Sequence, residues 1–221
     1  MDVHFDNSVG RGIEWVLEQE GRLDVVVNNA GFGLAGAVED TSIEEAKAQL
    51  ETNFFGALRV CRSALPIMRE QGGGYIVNIS SLAGRIGVPF QALYSASKFA
   101  IEGLTEALRL EVRPFGIRVV LIEPGDFATE FTQHRRRTIQ SQGNSACRER
   151  YETALRIMEA SEAEGGTPEA VARLLERILE DPSPRLRYTV GPLVQRAAAE
   201  LRKIVPARLF EWGLAKYYRL D

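Results

Sequence analysis

The chain has 221 residues, 45% of them hydrophobic and 26% charged, which suits one globular domain with a substantial core and excludes a disordered chain. The net charge of −3 gives no reason to expect a polyanion, so no nucleic-acid partner is expected. The two cysteines, Cys61 and Cys147, form neither a disulfide framework nor a metal-ligand cluster and suit a reducing compartment.

No apolar run reaches the ~18 residues of a membrane span. Met1-Asp2-Val3-His4-Phe5-Asp6 has neither the basic nor the apolar region of a signal peptide, so a cytoplasmic protein is expected. Helix and strand patterns alternate, which predicts an α/β fold with a parallel sheet. Val9, Ile13, Val16 and Leu17 predict a helix over Ser8–Glu20, ended by Gly21, with a buried strand at Leu23–Val27. Thr41-Ser42-Ile43-Glu44 reads as a capping box opening a helix past Gln49. A second helix is expected from Asn53 to Arg69, kinked or shortened by Pro66. The Gly72–Gly74 break leads to a strand at Tyr75–Ile79, then a long helix from Tyr94 to Val112 and a strand at Ile117–Ile122. The polar tract 131–166 reads as a mobile lid. Thr167-Pro168 opens a helix ending near Glu180, Leu186–Val190 is a last strand, and the tail 192–221 holds two amphipathic helices broken at Pro206.

The chemistry centres on Tyr94-Ser95-Ala96-Ser97-Lys98. Residues four apart share a helix face, so an ammonium at Lys98 can lower the phenol pKa of Tyr94 from ~10 towards neutrality. Such a pair alone is more often surface packing. Ser81, however, ends the strand upstream, where a hydroxyl can stabilise charge on a substrate oxygen, although an isolated serine there simply caps a turn. Asn28-Asn29-Ala30-Gly31 and Glu123-Pro124-Gly125 end two more strands, each readable as a turn by itself. Asn53 is a mediocre helix-interior residue, so either it caps something or it has a job. All of these fall where ligands bind an open α/β sheet, beyond the carboxyl ends of the strands.

The order N-N-A-G, N, S, Y-x-x-x-K and P-G-x-x-x-T, from Asn28 to Thr129, resembles the classical short-chain dehydrogenase/reductase family. The resemblance implies a Rossmann-like doubly wound parallel sheet and a nicotinamide cofactor, NAD(P)(H). It implies Tyr94 as general acid/base, and Lys98 as the residue that lowers its pKa and binds the nicotinamide ribose. Ser81 would hold the substrate oxygen and Asn53 a water that passes protons to Lys98. Asp2 and Val3 would touch the adenine, and Asn28, Ala30 and Gly31 would line the adenosine side. Pro124, Gly125, Phe127 and Thr129 would flank the nicotinamide. Family members form dimers or tetramers through the helices expected at Asn53–Arg69 and Tyr94–Val112.

No Gly-x-x-x-Gly-x-Gly precedes Asn28, and Gly10-Arg11-Gly12 has no strand before it, so the sheet is expected to lack its first strands and glycine-rich loop. The expectation is an internal methionine taken as a start, or a fragment. Phe127, Phe131, Leu155 and Met158 suggest a hydrophobic alcohol or ketone substrate. The tail resembles retinol and 17β-hydroxysteroid dehydrogenases through Arg187-Tyr188-Thr189-Val190-Gly191 and Ile204-Val205-Pro206. The basic run His134–Arg137 could contact an anionic carrier or phosphate but reads as a solvated lid, and the basic amphipathic Leu193–Tyr218 could lie on a membrane surface, with packing over the site or against another subunit the preferred reading. Competing readings are a non-catalytic binding protein with an incomplete cofactor site and an epimerase or dehydratase sharing Y-x-x-x-K.

Overall fold

A computed structural model describes residues 1–220. Helix α1 spans Asp6–Glu20, two residues earlier than the apolar spacing predicts, and closes on Gly21 in the left-handed region. The Gly10-Arg11-Gly12 segment lies inside this helix. Strand β1 is Val25–Asn28 and the two-residue β2 is Leu34–Ala35. Helix α2, Ile43–Leu50, starts one residue later than the predicted box: Ser42 is the cap. Its Oγ accepts from Glu45 N at 3.2 Å and the Glu45 carboxylate accepts from Ser42 N at 2.9 Å. The reciprocal bond requires a carboxylate three residues after the cap, which Glu45 supplies to Ser42 and Glu44 supplies only to Thr41. The Thr41 hydroxyl bonds back to Ala37 O instead.

The break expected before Asn53 is absent. A π-helical segment, Glu51–Gly56, carries α2 directly into α3, Ala57–Glu70, and α3 continues past Pro66. Strand β3 is Gly74–Ile79, α4 is Ala92–Val112 and β4 is Ile117–Pro124. The tract expected as a lid is built from the short strand β5, Arg136–Arg137, and a 16-residue helix α5, Arg148–Ala163. Helix α6, Pro168–Glu180, leads to β6, Arg187–Val190, and the tail forms α7, Leu193–Leu201, and α8, Ala207–Tyr218.

The sheet is parallel in the order β1-β3-β4-β6, and β5 pairs separately with β2. Val26, Ile76 and Val119 stand in one cross-strand row and pack under α1, α3 and α4 with Val60, Cys61, Ala64 and Met68. On the opposite face Val77, Val120 and Ile122 pack against Leu174 and Ile178 of α6. Helices therefore cover both faces, the doubly wound arrangement. Only α6 covers that second face beside β4, and Val27 on β1 is 40% exposed. β1, β3 and β4 all end on the same side, at Asn28, Ile79 and Pro124, which gathers their following loops into one crevice.

Two glycines separate a conformational requirement from a neutral position. Gly116 has φ +73°, and a Cβ there would lie 2.6 Å from Gly72 O. Gly10 lies in α1 with nothing near its missing side chain. Gly116→Ala should therefore lower unfolding free energy by about 1–3 kcal/mol, whereas Gly10→Ala should raise it by ~0.5–1 kcal/mol. Urea titration of both variants checks the opposite signs.

Candidate active site

The crevice is built from loops that buried amides hold in place. Asn53, at the centre of the π-helical segment, accepts from Phe32 N at 3.1 Å. Its amide donates to Phe32 O at 3.0 Å and to Ser97 Oγ at 3.1 Å. One turn earlier Gln49 accepts from Leu34 N at 2.7 Å and donates to Phe32 O at 2.8 Å. Both Asn53 amide hydrogens are thus spent on protein partners. The side chain ties the loop at Phe32 to Ser97 on α4. A Cβ on Gly31 would come within 3.0 Å of Asn53 Oδ1, so this close approach depends on glycine.

Tyr94 and Lys98 lie on the first turns of α4, both buried. Lys98 Nζ stands 5.7 Å from the centre of the Tyr94 ring and donates to Ile79 O at 2.8 Å. Burial lowers the Lys98 pKa to about 8, against the opposing pull of Glu102. Burial also pushes the Tyr94 phenol up to about 12; a hydrogen bond with Ser81 and the charge of Arg135 pull it down, while Glu162 and Asp126 push it further up. Desolvation is the largest influence on Tyr94, and the Lys98 ammonium donates to the Ile79 carbonyl. Ser81 joins Tyr94 from the end of β3, and its Oγ also accepts from Ala83 N at 3.1 Å.

Asn28 donates to Asn78 Oδ1 at 2.8 Å and to Cys61 Sγ at 3.3 Å, while Ala30 and Gly31 lie exposed beyond it. Pro124 and Gly125 are half-buried at the end of β4, Phe127 is buried, and Thr129 is exposed, where it accepts from Phe131 N at 3.2 Å. Val3 packs into the α1–α3 core, and Asp2 turns inward on the chain start through His4 N and Ser8 Oγ.

The substrate side holds more charge than the sequence suggested. Phe131 leans on Tyr94 with ring centres 5.7 Å apart. Leu155 packs with Ala35 and Tyr151, and Met158 receives Gln91 Nε2, so both serve as core. The basic run is not solvated throughout. Arg135 is buried in an ion pair with Glu162, Arg137 pairs with Glu159 at 2.9 Å, and Arg136 sits 4.1 Å over the Phe32 ring. Glu162 also accepts from Thr132 Oγ1 at 2.5 Å. Asp126 accepts from Ser161 at 2.5 Å and from Gln195 at 2.6 Å. Asp126, Arg135 and Glu162 escaped the sequence reading. The i, i+3, i+7 spacing of Tyr151, Ala154 and Met158 was the available signal for the helix that carries Glu162.

Residues 1–140 match the short chain dehydrogenase family model. A 3-ketodihydrosphingosine reductase of Bacteroides thetaiotaomicron is 40% identical over 220 residues, covering 100% of this chain and 82% of that protein. The crystal structure of a short-chain dehydrogenase from Streptomyces avermitilis superposes with TM-score 0.80 at 31% identity, over 98% of this chain and 79% of that one. A Burkholderia phymatum short-chain dehydrogenase/reductase in complex with NAD gives TM-score 0.78 at 26% identity, over 92% and 73%. Solved relatives carry NAD or NADP, which makes the cofactor a nicotinamide dinucleotide. With the Tyr94–Lys98 helix facing Ser81 across the strand ends, and likeness along its whole length, this chain belongs to the short-chain dehydrogenase/reductase family.

Proposed function

We propose that the chain interconverts a hydrophobic alcohol and its carbonyl compound, with Tyr94 moving the proton at the substrate oxygen. The observation that carries this reading is the gathering of Tyr94 and Lys98, on the first turns of α4, with Ser81 at the joint end of β3 and β4, where Lys98 Nζ donates to Ile79 O. Two hydroxyls that meet in a buried site can both address one oxygen, one holding it and one exchanging a proton with it. The ketone named for the Bacteroides relative supports a keto compound as the carbonyl form.

The residues fit the cofactor. Lys98 gives one N–H to Ile79 O and keeps two for ribose hydroxyls, and the exposed Ala30 and Gly31 leave backbone accessible beyond β1. When bound, the nicotinamide supplies or accepts the hydride. Asn28, Ala30, Gly31, Asp2 and Val3 are proposed for the adenosine side, and Pro124, Gly125, Phe127 and Thr129 for the nicotinamide side. Asn53 is proposed as a positioning residue through Phe32 and Ser97. A homodimer or homotetramer through α3 and α4 is supported by the exposure of Phe99 and Leu110 on α4.

Turnover is measured as NADH or NADPH oxidation with apolar ketones. Tyr94→Phe should lower kcat about 10³-fold while cofactor affinity changes less than about twofold. Ser81→Ala should cost ~10²-fold. Tyr94→Phe turnover within about tenfold of the wild type would refute the assignment.

Lys98 makes a second, thermodynamic test possible. Its folded-state pKa, about 8, lies below the ordinary 10.5, so the native state binds fewer protons between those values. Stability from this group is therefore lost as pH falls through about 8, where the ammonium must be buried charged. Lys98→Met should abolish turnover yet raise unfolding free energy at pH 7 by about 1–2 kcal/mol, after allowing for the lost bond to Ile79 O. That advantage should shrink as pH rises from 8 towards 10.5. Denaturant unfolding at pH 7 and pH 10 measures it; a constant difference would show that Lys98 titrates normally.

A further inference from the structure

The segment after β6 differs from the rest of the chain in charge and in what it exposes. The whole chain is net −3, but residues 193–220 hold six Arg and Lys against two Glu. Within that segment Leu193, Val194 and Ile204 are 75, 82 and 78% exposed, and Trp212 is 59% exposed. These positions are not scattered. At ~100° per residue, Leu193, Val194 and Leu201 share one face of α7, opposite Ala199, which is buried. On α8, Phe210 and Leu214 face inward onto Leu82, Ile86 and Ala199, and Leu209 and Trp212 face outward. Arg202, Lys203 and Arg208 lie exposed on and beside the connection between the two helices.

We propose that α7 and α8 dock this outer face on the surface of an anionic lipid bilayer. Apolar and aromatic residues on one face, flanked by Arg and Lys, are what an interfacial helix presents to acyl chains and headgroups. Among the described residues no helix is long and apolar enough to cross a membrane, so the contact is with the surface. Charge decides the occupant. A second copy meeting this face symmetrically would set one basic tail against another, whereas anionic headgroups complement it. The placement also has a use. The inner face of α8 packs on Leu82, next to Ser81. The half-buried Tyr218 phenol feels Asp126, Glu162 and Arg135, the same charges that act on Tyr94. A docked tail sets the mouth of the site against the phase in which apolar substrates dissolve.

Co-sedimentation of the full chain with phosphatidylcholine vesicles, with and without about 30 mol% phosphatidylglycerol, tests the proposal at ~0.1 M and ~0.5 M NaCl. The expected result is at least tenfold stronger partition onto the anionic vesicles, reduced at high salt. Trp15 and Trp212 are the two tryptophans, so Trp15→Phe isolates Trp212, whose emission should shift to the blue on binding. Leu209→Glu/Trp212→Glu should lose the partition at unchanged far-ultraviolet circular dichroism. Arg202→Glu/Lys203→Glu, wholly on the surface, should lose it as well. Equal partition onto both vesicle types, or full binding by the Arg202/Lys203 variant, overturns the proposal. So does a dimer dispersed by the Leu209/Trp212 substitution without vesicle binding, which would make the occupant a second copy.

Discussion

The crevice at the ends of the strands is held together by a buried amide cluster. Gln49 and Asn53 are four residues apart on one helix and reach the same loop, at Phe32 and Leu34. Asn53 then crosses to Ser97, whose own hydroxyl bonds Tyr94 O. One set of hydrogen bonds thereby ties the loop after β1, the α2–α3 helix and helix α4 together. Buried amides left without partners cost about 1–3 kcal/mol each, so none of the three elements can shift alone. The π-helical turn at Glu51–Gly56 is the local departure that accommodates this, and such turns concentrate at functional sites.

A second set of charges lies behind Ser81 and α4. Glu123, fully buried on β4, accepts from Arg85 at 3.1 Å, and Arg187 approaches it from β6 while bonding Glu102 at 2.8 Å. Desolvation and Glu102 push the Glu123 carboxyl up, and the two guanidinium groups oppose that. Lys98, one turn before Glu102 on α4, sits in the same low-dielectric region, which is why burial dominates its titration. The cluster ties the ends of β4 and β6 to α4.

What the sequence made legible follows from period and order. Tyr94 and Lys98 lie four apart on a strong helix, and Ser81, Asn28 and Pro124 each follow an apolar strand run, so their common end of the sheet could be inferred without coordinates. Three features could not be inferred. The Lys98 ammonium turns to Ile79 O, a backbone acceptor that no side-chain pattern announces. Arg135 sits in a run of four basic residues, and only tertiary packing distinguishes the buried one from its exposed neighbours. Helix α5 hides in a polar tract because its buried face, Tyr151, Ala154, Leu155 and Met158, is narrow and the residues between are charged. Capping slipped by one residue at Ser42 for a related reason: Thr41 and Ser42 each have a glutamate three residues on, and only the bond of the Thr41 hydroxyl to Ala37 O leaves Ser42 as the cap.

The tail is mechanically joined to the chemistry. Gln195 on α7 accepts from Asp126 N at 2.9 Å and donates to Asp126 Oδ2, and Ser161 of α5 bonds the same carboxylate. A Cβ on Gly125 would meet Gln195 Oε1 at 2.5 Å, so the glycine of the β4 turn is also what lets α7 approach. Asp126 in turn is one of the charges that raise the Tyr94 phenol. Displacing α7 would strip one hydrogen bond from that carboxylate and one from the Asp126 backbone N–H, and would admit water, so that the desolvation that dominates both Tyr94 and Lys98 would fall. The last two helices therefore bear on the surroundings of the Tyr94 phenol through Asp126.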